Sequence, residues 1–455
     1  MMRWIPKMQK KNNVAKTLLF SMLCVAILIG TLDGCQTAFV KADEAAENTV
    51  PDSICTINGT DSGAILSEKS ITYNDAVIDV SETPLVTYNG VTMMALRQTI
   101  CSNGPKVSYE YNKKTKHVRL VWQNKVITFY VGDTTLYVNG QKYVWQTAPE
   151  KVVYTASGKS GILVPAEQLC NALAFSCQWN SEGTVMSLTK NAVRFSGQTK
   201  KTAYPYSLKK YAKAEYRRSP KVSYKTYRKL VDTKQDITQS FQYLRVDRYR
   251  SVDKKKFKQY YQYLIEDYCR EAGISTKKSS LYNKADVFLK AAKKYKLDPV
   301  YLVCQTFLES AYGTSRLASG NTIKKIAYRS FARKKNGKFK TKKLKSKRKV
   351  YNLYGIKAYD SDPFVGATSY AYYKKWTTVN KAIYGAASYL SKNYVHSRYK
   401  QNTIFKMRFS PNRKTMWHQY ATDPYYAQKI GLRMYWMSTC YAGNTTFIYD
   451  YPKYK

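Results

Sequence analysis

Histidine is almost missing from this chain of 455 residues. There are three, His117, His396 and His418, far apart, and none sits in a metal-ligand motif. No two cysteines form a CxxC pair. A zinc hydrolase is therefore disfavoured, and neither metal nor cofactor is expected. Acid is scarce as well: 30 Asp and Glu stand against 76 Lys and Arg, a formal net charge of +46. From residue 272 onward Glu309 is the only glutamate, and no Asp or Glu lies between it and Asp360.

What is present begins with an export pattern. Arg3, Lys7, Lys10, Lys11 and Lys16 precede an apolar stretch, Thr17 to Leu32, that is short for a membrane span. Val40-Lys41-Ala42 then supplies a small-x-small cleavage site, so residues 1–42 read as a signal peptide. An uncleaved anchor is the alternative, and Leu32-Asp33-Gly34-Cys35 departs from a lipoprotein box at Asp33. Large positive charge speaks about partners rather than fold. Nucleic acid is the usual partner of a basic chain, but an exported protein rarely meets it. The anionic polymers of a Gram-positive-like bacterial wall fit better. The chain is thus expected to be secreted or wall-associated, with no nucleic-acid partner. Seven cysteines follow the signal, an odd number that leaves at least one thiol unpaired.

Composition divides the rest. Residues 43–82 carry nine acids against Lys69 and read as an acidic spacer. Residues 83–195 read as β-rich, with alternating runs such as "KHVRLVWQNKVITFYV" and turn signals at Gly132-Asp133 and Asn139-Gly140. Two stretches repeat a helix–strand–turn–strand pattern, "MALRQTICSNGPKVSYEYNKKTKHVRL" and "VPAEQLCNALAFSCQWNSEGTVMSL", with Cys101 and Cys170 in matching places. This region resembles the copper amine oxidase N-terminal-type domain of exported proteins. No ligand set accompanies His117, so no copper is expected. Residues 196–239 form a basic, Tyr-rich connector, 240–440 a helical domain, and 441–455 a tail.

Within the helical part, Asp298-Pro299 supplies a cap followed by proline at the first helical position, and Gly313 is expected as the stop. Glu309 then falls in the last turn of an apolar helix, on one face with Leu302, Gln305 and Thr306. Burial and the helix macrodipole both disfavour its charge, while the surrounding lysines favour it. A carboxyl kept protonated near neutral pH suits a general acid. A structural glutamate bonded to a buried tyrosine is the competing reading.

Five ordered stretches, "FLESAYGTSRLA", "YNLYGIKAYDSDP", "GATSYAYYKKWTTVNKAIYGAASYLSKNY", "QNTIFKMRFSP" and "HQYATDPYYAQKI", together resemble the glucosaminidase family of bacterial wall hydrolases. The resemblance runs from about Tyr204 to Tyr435. It implies a mainly α, lysozyme-like catalytic domain with a small β-hairpin, behind a β-rich α+β accessory domain. It also implies hydrolysis of the β-1,4 bond on the reducing side of N-acetylglucosamine in peptidoglycan. By position Glu309 matches the catalytic acid and Tyr420 the active-site tyrosine. Asn352 and Tyr354 fall on the family's "N-aromatic-G" motif, and Tyr359, Trp376 and Gln419 are expected at the substrate. The chain departs from relatives that carry a second acid in the hairpin. Asp360 and Asp423 remain as possible second carboxylates, although Asp423-Pro424 also reads as a helix cap. A substrate-assisted route needs neither. A glycosidase of glycoprotein glycans and a non-catalytic wall-binding protein are the alternatives.

Overall fold

The computed structural model describes residues 54–232, 240–410 and 418–455. The expected export signal lies outside these residues. From Cys55 to Lys190 the chain is rich in strands. At its centre is a five-stranded antiparallel meander: Ser108–Asn112, His117–Trp122, Lys125–Tyr130, Thr135–Val138 and Gln141–Val144. Asn139 and Gly140 join its last two strands with φ of 48° and 75°, the left-handed pair that a two-residue hairpin requires. The sequence repeat is also structural. The helical turns Arg97–Asn103 and Ala166–Ala172 are each followed by an antiparallel strand pair, and hold Cys101 and Cys170. The seven described cysteines are free thiols.

The acidic segment departs from expectation. Cys55–Ile57 pairs with Glu150–Tyr154, and Ser70–Tyr73 pairs in parallel with Val185–Lys190. Cys55, Ile57 and Ile71 are buried. A strand needs an apolar residue only at every second position, so acids on the other face do not prevent pairing. Residues 54–82 are therefore part of the β-rich body rather than a spacer.

The connector and the tail hold each other: Gly197–Ala203 pairs in parallel with Phe447–Lys453. Ser207 and Ser223 cap the helices Leu208–Arg218 and Tyr224–Val231 by accepting from Lys210 N and Thr226 N. Tyr211, Tyr227 and Tyr243 pack with Phe405 and Phe409 beneath them, so many of the tyrosines are core.

The second half is mainly helical, as expected, with one hairpin. The glutamate helix, Pro299–Ser310, packs against Ala285–Lys294 and Tyr426–Trp436. Its cap is buried. Asp298 Oδ1 accepts from Tyr301 N at 3.0 Å and from Tyr441 Oη at 2.8 Å, while Oδ2 meets Arg250 Nη1 at 2.9 Å. The helix stops before Gly313. Ala311 takes the left-handed conformation at φ 47° and Tyr312 follows at φ 54°. Gly313 is required for another reason, since a Cβ there would lie 2.7 Å from Leu281 Cγ. The hairpin pairs Asn321–Ala327 with Thr341–Val350 and turns at Gly337, φ 78°. Ala327 N donates to Ser369 Oγ at 2.7 Å and Ala327 O accepts from Tyr373 Oη at 2.7 Å, which fastens it to the helix Pro363–Tyr373. Among the described residues no helix is long and apolar enough to cross a membrane.

Candidate active site

Ten of the twelve residues of the glutamate helix are buried, which leaves Leu308 and Glu309 as its two partly open positions. Openness at a single polar residue of an apolar helix marks where solvent or a ligand reaches the helix. Tyr426 Oη donates to Glu309 Oε1 at 3.2 Å, and Tyr420 also hydrogen-bonds this carboxyl. Gln305, one turn earlier, donates from Nε2 to Tyr426 Oη. Thr306 Oγ1 lies 2.8 Å from Tyr354 Oη. The face predicted for Glu309 is thus a polar stripe roofed by tyrosines.

Desolvation raises the Glu309 carboxyl from 4.5 to about 7, against the opposing pull of the two tyrosine hydrogen bonds. No charged group is among the causes. The lysines expected to favour its ionised form therefore do not decide its state. Its own charge acts on Tyr301, Tyr354, Tyr394, Tyr420 and Tyr426, and burial pushes all five hydroxyls up, so they stay protonated donors.

The other expected residues divide. Tyr420 and Tyr354 reach the glutamate helix. Gln419 precedes Tyr420, and its buried Nε2 donor has no partner among the described residues. Asn352 is spent on its own loop: Nδ2 donates to Ile356 O and Ala367 O, both at 3.0 Å, and Oδ1 accepts from Ile356 N at 3.1 Å. These bonds use both amide hydrogens and tie the loop to the helix Pro363–Tyr373. Trp376 is buried and packs edge-on against Tyr370 at 5.4 Å. Tyr359 is exposed, bonded by Lys357 Nζ at 2.8 Å and covered by Arg333 at 5.0 Å. Asp423 accepts from Tyr425 N at 3.0 Å and pairs with Lys429 at 2.8 Å, just ahead of the helix Tyr426–Trp436, whose N-cap is Tyr425 rather than Asp423. Asp360 is exposed.

Sequence reasoning missed Tyr426. It lies 117 positions from Glu309, beside Tyr425, and only the register of the helix Tyr426–Trp436 tells the two apart. Among the described residues no group of three or more His, Cys, Asp or Glu is placed to hold a metal ion. His117 is engaged instead by Glu271 at 2.9 Å and Asp267 at 3.6 Å.

The family model described as mannosyl-glycoprotein endo-beta-N-acetylglucosaminidase matches residues 285–435. The copper amine oxidase N-terminal domain matches residues 72–156. Beta-N-acetylglucosaminidase of Bacillus subtilis (strain 168) is 37% identical over 179 residues, 39% of this chain and 17% of that protein. Bifunctional autolysin of Staphylococcus aureus is 33% identical over 228 residues, 50% of this chain and 16% of that protein. The chain therefore spans less than a fifth of the length of these relatives. A crystal structure of a major bifunctional autolysin is 27% identical, covering 57% of this chain and 100% of that one, with a TM-score of 0.38. Glu309, Tyr420 and Tyr426 all lie inside the first matched segment. Residues 285–435 are thus similar to the glucosaminidase family, and residues 72–156 to the copper amine oxidase N-terminal domain.

Proposed function

We propose that this chain is an exported cell-wall hydrolase that cleaves the β-1,4 bond on the reducing side of N-acetylglucosamine in peptidoglycan. Residues 240–440 are the catalytic domain in this reading, and the β-rich part in front is an accessory domain. The observation that carries it is Glu309: a carboxyl raised to about 7 by burial, hydrogen-bonded by Tyr426 and Tyr420, with no charged partner. The names of the Bacillus and Staphylococcus relatives support the substrate class.

Glu309 enters the reaction protonated and gives its proton to the departing glycosidic oxygen. A retaining enzyme with a protein nucleophile places a second carboxylate about 5 Å away. Such a neighbour would add its charge to the causes that raise Glu309, and among the described residues none does. Asp423 is held by Lys429 and by Tyr425 N. In this reading the substrate's 2-acetamido oxygen is the nucleophile: it bonds to the anomeric carbon as the leaving-group bond breaks. The ionised Glu309 takes a proton from the water that opens the resulting ring, which restores the acid. Tyr420 donates to the acetamido group and orients it. The fourteen Lys and Arg between Lys324 and Lys349, on the hairpin, form a cationic lip that grips anionic wall. Binding through it weakens as salt rises.

The test is digestion of purified sacculi with analysis of the products. New reducing ends at N-acetylglucosamine are expected. Ends at N-acetylmuramic acid indicate a muramidase, cleavage confined to glycoprotein glycans indicates the other substrate of this chemistry, and no products indicate a binding protein. Glu309→Gln is expected to lower turnover by a factor on the order of 10²–10⁴ while substrate binding survives. Asp360→Ala and Asp423→Ala are expected to retain turnover. Loss of turnover in either, with fold and binding intact, would overturn the substrate-assisted route.

A further inference from the structure

Away from Glu309, the helix Val379–Leu390 forms one wall of an open groove of about 620 Å³. Its floor depends on a glycine. A Cβ on Gly385 would lie 1.9 Å from Trp376 Nε1, so only glycine lets the indole seat against this helix. The flanks carry Lys374, Lys375, Lys381 and Lys392, all exposed, with no acid and no arginine among the lining residues. No Asp or Glu occurs in the sequence between Asp362 and Asp423, so the helices that build these flanks have no acid of their own. Tyr faces line the groove: Lys374 lies 5.6 Å from the Tyr370 ring, and Lys294 lies 5.6 Å from that of Tyr384. Cation–π contact holds an ammonium group without neutralising it.

We propose that this groove is a second wall-binding site that takes a phosphodiester polymer of the wall, the class to which teichoic-type chains belong. The proposal rests on the wall-hydrolase reading above. Four exposed ammonium groups around one concavity, with no ion pair among the described residues, suit a multivalent anion. A lysine-only set suits a flexible chain of repeating charges, because each ammonium is a point charge with free rotation and demands no fixed fork geometry. Asn380, Asn393 and Ser388 add neutral donors to the same groove. Tyr389, on its wall, packs at 6.0 Å on Tyr394, which packs at 5.0 Å on Tyr420. The groove is therefore two aromatic contacts from the tyrosine that bonds Glu309. A chain held here keeps the catalytic domain on the wall while the glycan strand is cut.

The experiment compares the full chain with a variant carrying Lys374→Gln, Lys375→Gln, Lys381→Gln and Lys392→Gln. Probes are sacculi with their phosphodiester polymer, sacculi stripped of it by acid, and a purified poly(glycerol phosphate). The variant is expected to bind poly(glycerol phosphate) at least tenfold more weakly, and to lose its preference for polymer-bearing over stripped sacculi. Its rate on stripped sacculi is expected to be unchanged. Equal binding of the polymer by both proteins overturns the proposal, as does an equal drop in binding to both kinds of sacculi, which would assign the groove to peptide carboxylates. If neither protein cleaves stripped sacculi, the hydrolase reading fails, and the polymer-binding comparison still decides the groove.

Discussion

Glu309 carries a pH dependence with a definite sign. Its carboxyl titrates at about 7 because burial opposes the charged form more than the two tyrosines favour it. A general acid works only while protonated. On an uncharged soluble oligosaccharide, kcat/KM is expected to hold below pH 7 and to fall as pH rises through it, about tenfold per unit well beyond. A profile flat from pH 6 to 9 would remove Glu309 as the acid. Tyr426 donates to the ionised and neutral carboxyl alike, but its bond favours the anion and so lowers the titration point. Tyr426→Phe is therefore expected to move the falling limb to higher pH. A purely structural tyrosine would lower the whole profile and leave the limb where it was.

At the scale of single elements, the glutamate helix shows what holds the acid in place. Asp298 does three jobs at once: it caps Tyr301 N, accepts from Tyr441 and neutralises Arg250, whose side chain is as deeply buried as its own. Removing one member of such a pair leaves an uncompensated buried charge. Asp298→Ala is expected to cost about 3–5 kcal/mol in urea unfolding, and Asp298→Asn, which keeps the cap but also leaves Arg250 unneutralised, about 1 kcal/mol less. A cost below about 1 kcal/mol for the alanine variant would show that the pair is not what anchors the helix. This helix was legible in sequence because its signals are local: a cap, a proline and an apolar run. Its end was not, because Ala311 accepts a left-handed backbone that only the surrounding packing imposes. Tyr354 and Tyr420 could be found through motifs that resemble a family. Asn352 came from the same motif, yet its amide serves the loop, a role that spacing alone does not separate from ligand binding. The strands at Cys55–Ile57 and Ser70–Tyr73 stayed hidden because their partners lie about a hundred positions away, and acidic composition masked the alternation.

At the scale of the whole molecule, the acids that the described residues bury are each matched by a cation. Glu215 pairs with Arg408, Asp298 with Arg250 and Asp450 with Lys406, all deeply buried. The helix Lys254–Glu271 bears Asp267 and Glu271 in its last turns, where the macrodipole disfavours them. The β meander supplies the compensation: His117 lies against both acids, Asn112 Nδ2 donates to Glu271 at 3.1 Å, and Arg119 covers Trp436 at 4.9 Å. Further contacts run from Asn124 to Ser438 at 3.2 Å and from Asn139 to Thr439 at 3.1 Å. The meander is thus joined to the helical half by polar bonds that the two would lose if separated, and they are expected to unfold together. Gly140 is a point of close approach, since a Cβ there would lie 2.8 Å from Tyr260 Cα, and its φ of 75° disfavours any side chain. Gly140→Val should push the two halves apart. Calorimetry is expected to show one transition for the native chain and two for the variant, with the glucosaminidase-family half unfolding first because it loses the partner of its acidic helix end. One transition at an unchanged temperature in the variant, or two in the native chain, would mean that the β-rich half is only tethered and lends the helical half no stability.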